Sequence, residues 1–511
     1  MRECSTPRRS GATDFEVRLF GLVPLVLAAI FYAPITQAYF FQDDFLHLYE
    51  VANHGFPQYV LTPFAGHQLL SWNALFALLF RLLGPEPLGY YGLVWLNHLA
   101  NAVLLFEVIR WLVGRPRLAC LGASLWGIAP IHAGALGWYS VHGHVLATTA
   151  VLLILRDLAR LGGGAPRARL APWRWAALSL LAATSFGVGL AAVLVLPVVA
   201  FLVVPQASGR CQATRSLALA ALGVLLAYTG LHWLAAVLYG APSPVSLERI
   251  LDPGWPLVKR ALEIAYRLAA RGAASLLLGI FHEGLGPREA GLHVTFGAAL
   301  AALVAALRLA PPPTRRSLLA TLGLVFACYG GIAVGRGLLT PIFTLDVLVD
   351  APRYQYLATA ALTLALCLGL AALPARLLLP ARSRTPLLAL GLALHAFLVA
   401  WLRPPIDLHE GARQEIEGAL GEMRRQIEAA PPGADVFIRN PRWQLISAGP
   451  VLERQREAFP TWAAVFTIFF PENEVAGRRI FFVERDAGVL KAARRGLRSA
   501  ALVVPNRRLR R

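Results

Sequence analysis

The sequence predicts a polytopic bundle of transmembrane α-helices, about eleven spans, followed by a small α/β domain outside the membrane. Three observations carry this. Of 511 residues, 57% are hydrophobic and only 15% charged, a balance too apolar for a soluble chain of this length. Apolar runs long enough to cross a ~30 Å hydrocarbon core recur between residues 17 and 402, separated by short Arg-rich loops. From residue 403 to 511 that pattern is lost.

The net charge of +19 comes almost wholly from Arg, with Lys only at 259 and 491. Clustering in loops between spans follows the positive-inside rule, so no nucleic-acid partner is expected. Cysteines at 4, 120, 211, 328 and 367 show neither zinc-site spacing nor a disulfide framework. No Asn-X-Ser/Thr sequon occurs, and Arg, Ala, Gly and Pro abound. That composition fits a bacterial inner (cytoplasmic) membrane protein.

In chain order, residues 1–16 form a cytoplasmic tail with Arg2, Arg8 and Arg9. Val17 to Thr36 is the first span. It lacks a small-residue cleavage site and should stay as an anchor. Residues 37–87 form an outer loop holding Asp43-Asp44 and, from Gln68 to Leu83, an interfacial helix stopped by Gly84-Pro85. Span two covers 88–112. Spans three and four, at 118–136 and 141–155, enclose the outer turn Pro130-Ile131-His132 to Trp138-Tyr139-Ser140.

The apolar run 175–204 is too long for one upright helix and carries Gly187 and Gly189, so two short spans are expected there. Span seven follows at 216–236. Residues 237–290 are a second long outer region, with an apolar dip at Ala273–Phe281. Spans at 291–310, 317–335, 354–374 and 386–402 complete the count. The five inner loops are rich in Arg and carry one acid, Asp157, which sets Asp43 and Asp44 outside. Beyond residue 403, Leu408, Ala412, Ile416, Leu420, Met423 and Ile427 repeat at helical spacing. Short strands are expected at 436–438, 464–470, 480–483 and 501–504. With an odd span count this domain is periplasmic.

Three clusters should meet at the outer surface: Asp43-Asp44 with His47 and His54; His132, Trp138, Tyr139, His142 and His144; and Arg336 with Arg353-Tyr354-Gln355-Tyr356. A carboxylate can take a proton from a hydroxyl within reach. Guanidinium groups match phosphate oxygens, and aromatic rings present flat surfaces to sugars. Together these suit transfer from a phosphate-activated donor to a hydroxyl. Interfacial anchoring is the competing reading of Arg353 and the tyrosines. His142-X-His144 is a weak metal signal, because residues two apart do not share a helix face. Adjacent Asp side chains diverge by ~100° on a helix, so one base with one positioning or cation-holding partner is expected: Asp43 or Asp44, with Asp43 the first choice because it lies nearer the membrane, where the donor phosphate must stay.

These motifs, in this order, resemble the GT-C superfamily of membrane glycosyltransferases, in particular its protein O-mannosyltransferase-like branch. Asp43-Asp44 is similar to the acidic pair after the first helix. Leu88-Gly89-Tyr90-Tyr91-Gly92-Leu93-Val94-Trp95-Leu96-Asn97-His98-Leu99 resembles the second span, and Pro130 to Ser140 the third-to-fourth turn. Gly335-Arg336-Gly337 and Arg353-Tyr354-Gln355-Tyr356 are similar to a late outer loop. The resemblance covers residues 17–400. It implies a polyprenyl-phosphate sugar donor, a glycan, lipid or protein acceptor, and an outward-facing site in the cell envelope. It also implies catalytic roles for Asp43 and Asp44, with Arg336, Arg353, Tyr354, Tyr356, His132, Trp138 and His144 binding substrate. The sugar, the acceptor and the need for a divalent cation stay open. One departure stands out: where relatives carry a charged or His-containing motif, this chain reads Ser185-Phe186-Gly187. A lost donor contact, an altered donor or an inactive member would each account for it. The rival classes are a transporter or flippase of lipid-linked sugars and a non-catalytic membrane scaffold.

Overall fold

The computed structural model describes residues 14–41, 43–64, 66–162, 172–205, 207–240, 254–279, 289–339, 345–349, 351–373, 391–397, most of 413–433, 435–439 and 479–483. Within them the chain is a bundle of α-helices. Helix α1 (Asp14–Tyr32) leads through a short 3₁₀ turn to α2 (Asp43–Asn53), α3 (Phe56–Leu61) and α4 (Leu70–Leu83). Helices α5 (Pro87–Val113) and α6 (Pro116–Gly127) follow. Proline opens both in the first turn, where its missing N–H costs nothing, and Gly114 at φ 71° closes α5. After the one-turn α7 (Ala133–Leu136) come α8 (Gly143–Gly162), α9 (Pro172–Ser185), α10 (Gly187–Val203) and α11 (Ala207–Tyr239). The remainder comprises α12 (Gly254–Leu278), α13 (Glu289–Leu309), α14 (Pro312–Ala333), α15 (Leu345–Val349) and α16 (Tyr356–Ala372).

This is a multi-pass membrane protein. Six described helices are long and apolar enough to cross a bilayer, and α6 with the segment ending at Leu136 makes a seventh as one span bent by 48°. Ten of the eleven segments expected to cross are helical here. Helix α8 is more polar, carrying Arg156, Asp157 and Arg160, and the paired α9 and α10 are shorter. The pair breaks at Phe186, whose extended backbone (φ −162°, ψ 154°) reverses the chain within the run 175–204. Most of the eleventh segment, 386–402, lies outside the described residues, as does the tail 1–13.

Exposed and buried faces follow a membrane logic. Leu19, Leu22, Val26 and Ile30 of α1 and Leu219, Leu222 and Leu226 of α11 face outward, where lipid replaces water. Helix α4 buries Trp72, Asn73 and Phe76 and exposes Leu78, Leu82 and Leu83, the two-faced pattern of an interfacial helix. The core lies where α5 packs on α6 and α8, and where α10 and α16 pack on α14. One outer element departs from expectation. Instead of an apolar dip at 273–281, residues 254–278 form one helix, burying Ala261, Ile264 and Leu268 and then Ala273, Ala274 and Leu276.

In the C-terminal segment, Ile416 and Leu420 are buried, and Arg413 donates to the Gln37 carbonyl at 3.4 Å. Strands β1 (Asp435–Arg439) and β2 (Arg479–Val483) pair in parallel, Phe437 opposite Phe481. The strands expected at 464–470 and 501–504 lie outside the described residues.

Candidate active site

Members of the three clusters lie together at the end of the bundle where α2, α8, α10 and α16 begin. Asp44, wholly buried in the first turn of α2, is held by four donors. The Phe41 N–H reaches Oδ2 at 2.9 Å, and the Tyr91 hydroxyl of α5 approaches it at 3.2 Å. The Ser140 N–H donates to Oδ1 at 2.6 Å, joined there by the Ser140 hydroxyl. An ionised carboxylate offers about four lone-pair directions, and all are taken. Asp44 is therefore a clamp between α2, α5 and the turn 138–142. From sequence it is expected to hold a cation or the acceptor, whereas here its oxygens are engaged by these donors. The four donors do not wholly offset burial, which leaves its pKa raised to about 6.

Asp43, one residue earlier, points elsewhere and keeps part of its surface open. Desolvation and the neighbouring Asp44 charge push its pKa up to about 7, against the pull of Arg353 and Arg336. A carboxyl that is half-ionised near neutral pH and faces two guanidinium groups is suited to accept a proton in a reaction.

The cations are placed by turns rather than by regular helix. Arg336 lies in a wide π turn, Val334–Leu339, that ends α14. Arg353 lies in the 3₁₀ turn Pro352–Gln355. That turn seats against α7 at Gly134, where a Cβ would fall 2.2 Å from Pro352 Cγ, so only glycine permits the approach. The Arg353 guanidinium carbon sits 5.0 Å from the Trp138 ring centroid and 4.9 Å from that of Tyr354. The Tyr354 hydroxyl lies within electrostatic reach of both Arg353 and Arg336. Two guanidinium groups thus converge on one phenol oxygen beside Asp43, and their shared repulsion favours an anion between them.

His144, at the start of α8, stacks on Phe186 with centroids 3.9 Å apart and is crossed edge-on by Tyr354. Neither of its buried nitrogens, nor buried Trp138 Nε1, has a partner among the described residues.

Other expected site residues fall elsewhere. The Tyr356 hydroxyl is buried 2.7 Å from His98 Nδ1, while His98 Nε2 donates to the Gly127 carbonyl at 2.9 Å. His132 packs in the same pocket of rings, against Trp126, His98 and Tyr356. Both residues, expected to bind substrate, are buried among these rings. His142 Nε2 lies 3.3 Å from Asn97 Oδ1. Tyr139 packs on Trp72, Phe76 and Tyr90. His47 is 3.3 Å from the Tyr59 hydroxyl, and burial brings its pKa down to about 3. His54 pairs with Glu50 at 2.6 Å, away from Asp43. Tyr91, Ser140 and Phe186 stand in the sequence only as parts of longer motifs, and His67, which also reaches the site, stands in none. Among the described residues no group of three or more His, Cys, Asp or Glu is placed to hold a metal ion.

No family model and no curated relative matches the sequence. Among solved structures, the chain is similar to an oligosaccharyltransferase from Archaeoglobus fulgidus, crystallised with a tethered acceptor peptide containing the NVT sequon. Identity is 14% and the TM-score 0.43, over 81% of this chain and 58% of that one. A second likeness is to ArnT from Cupriavidus metallidurans bound to undecaprenyl phosphate, at 15% identity and TM-score 0.33, over 95% of both chains. Both TM-scores fall below one half, so the chemistry of the site rests on this chain's own side chains.

Proposed function

We propose that this protein is a glycosyltransferase of the outer membrane face, moving a sugar from a polyprenyl-phosphate carrier to the hydroxyl of a glycan, lipid or protein acceptor. The observation that carries the reading is one juxtaposition. Asp43, whose pKa lies near 7, faces Arg336 and Arg353 at the bundle end that the Arg-rich loops assign to the exterior.

In this scheme the acceptor O–H gives its proton to Asp43 while its oxygen attacks the anomeric carbon. The bond from that carbon to the phosphate oxygen breaks, and the lipid phosphate leaves with the electron pair. Arg336 and Arg353 stabilise the added negative charge. A single displacement inverts the anomeric centre. A double displacement would need a second carboxylate across the sugar, and Asp44 is committed to its four donors. Trp138 Nε1 and the His144 nitrogens offer unused hydrogen bonds for sugar hydroxyls. Since no cluster of metal-ligating side chains surrounds Asp43 among the described residues, no step is routed through a divalent cation.

A transporter would place its essential charges near the membrane midplane, whereas these gather at one end. The test is transfer of labelled sugar from a polyprenyl-phosphate donor in membranes, scored beside lipid translocation. Asp43→Asn should lower transfer by ~10²- to 10⁴-fold. Lipid movement without any sugar transfer by the parent protein would establish the transporter instead.

A further inference from the structure

The stretch Ser185-Phe186-Gly187 carries no acid, base or histidine, yet Phe186 packs on His144 of the site. What occupies the space beside it is His67, from the loop between α3 and α4. Its imidazole packs on Phe186 with centroids 4.8 Å apart. Arg336 donates from Nη2 to His67 Nε2 at 2.9 Å. Paired bonds between Phe64 and His67, His67 N–H to the Phe64 carbonyl at 2.8 Å and the return at 2.9 Å, hold the turn that presents the ring. Beyond it, the Gln68 N–H donates to Tyr228 of α11 at 3.0 Å. Gly187 makes the room. A Cβ there would lie 2.8 Å from His67 Nδ1 and 3.0 Å from Cε1, too close for any other residue without moving the ring.

We propose that His67 is a positioning residue that holds Arg336 in the donor-phosphate site, and that Gly187 is the residue that admits it. Accepting from a guanidinium requires a free lone pair on Nε2, hence a neutral ring with its proton on Nδ1. Burial and the Arg336 charge keep the imidazole pKa well below its ordinary value, so that form persists. Bonded to His67 and near the Tyr354 hydroxyl, the guanidinium is oriented before any ligand arrives. On this account the lack of an ionisable side chain at 185–187 is compensated from another loop, and the chain keeps a complete anion site.

The inference rests on the lipid-phosphate reading, and the test separates the two. The probe is undecaprenyl phosphate, titrated against the purified full-length protein in detergent, with melting temperature measured in parallel. Arg336→Gln serves as the reference and should weaken binding. His67→Leu should weaken it by about tenfold, with the donor KM rising more than kcat falls. His67→Gln places an amide oxygen near the same point and should recover most of the affinity. Gly187→Ala displaces the ring from the opposite side and should mimic His67→Leu. If Arg336→Gln weakens binding but His67→Leu and Gly187→Ala do not, the positioning role is refuted. Equal losses for His67→Leu and His67→Gln that track melting temperature would reduce His67 to packing and also refute it. If the wild-type protein does not bind the probe, the lipid-phosphate reading falls and takes this inference with it.

Discussion

Replacing each acid by its amide should give opposite phenotypes. In Asp44→Asn, one carbonyl oxygen remains for the Ser140 N–H and hydroxyl. The new NH₂ then stands where Oδ2 was, head-on to the Phe41 N–H that had donated at 2.9 Å. Tyr91 can adapt, because its hydroxyl also lies 2.9 Å from the Tyr39 carbonyl and can give its proton there. The loss is therefore one charge-assisted bond of ~1.5–3 kcal/mol and one orphaned buried N–H at ~1–3 kcal/mol. Part returns because the amide carries no charge to bury, a cost evident in the raised pKa of Asp44. A net ~2–4 kcal/mol corresponds to a roughly 30- to 1,000-fold shift in local opening. The assay is hydrogen exchange read by mass spectrometry on peptides covering 38–46 and 137–143. In Asp44→Asn both should exchange faster, whereas Asp43→Asn should exchange as wild type yet lose transfer. Unchanged exchange in Asp44→Asn, or faster exchange in Asp43→Asn alone, would refute the division of labour between the two acids.

Further expectations concern charge and orientation. Asp43 acts as a base only when ionised, so kcat/KM should rise about tenfold per pH unit below about pH 7 and level off above it. A profile flat from about pH 5 to about pH 9 would remove Asp43 from the proton transfer. Because Arg353 lowers the pKa of Asp43, Arg353→Gln should shift that limb towards alkaline pH; no shift would mean the two do not interact. Arg353→Lys should weaken donor binding with fold and insertion intact, since a point charge replaces the planar group seated between Trp138 and Tyr354. Normal donor binding by the Lys variant would favour an interfacial anchor. A reporter active only outside the cytoplasm, fused after Arg511, should be active; an inactive fusion would mean an even number of crossings.

The acid pair and the two arginines stand in conspicuous local settings, so chain order alone makes them legible as candidate site residues. Which acid is free is not legible. Three of the four donors that hold Asp44 come from Tyr91 and Ser140, 47 and 96 positions away, and sequence shows no lone pairs being used up. Tyr356 and His132 look identical on paper whether they face a cleft or a core; only packing against His98 and Trp126 decides. The break in 175–204 is readable from its glycines. The α12 helix is not, because Pro253, Pro256 and mixed charge hide the spacing of Ala261, Ile264 and Leu268. His67 is invisible as a site residue, a lone histidine in a polar loop whose meaning depends on Gly187, 120 positions later.

The π turn at Val334–Leu339 makes the site sensitive to chain length as well as side-chain identity. A π turn holds one residue more than an α-turn. Deleting one residue between Val334 and Arg336 would let the backbone relax to the ordinary 3.6 residues per turn and carry the guanidinium about 100° around the axis. Arg336 would leave both His67 and the Tyr354 hydroxyl, although every contacting residue had been kept. Among homologous sequences, an alignment gap at this turn would then separate chains that retain the anion site from chains that have lost it, more sharply than any single substitution there.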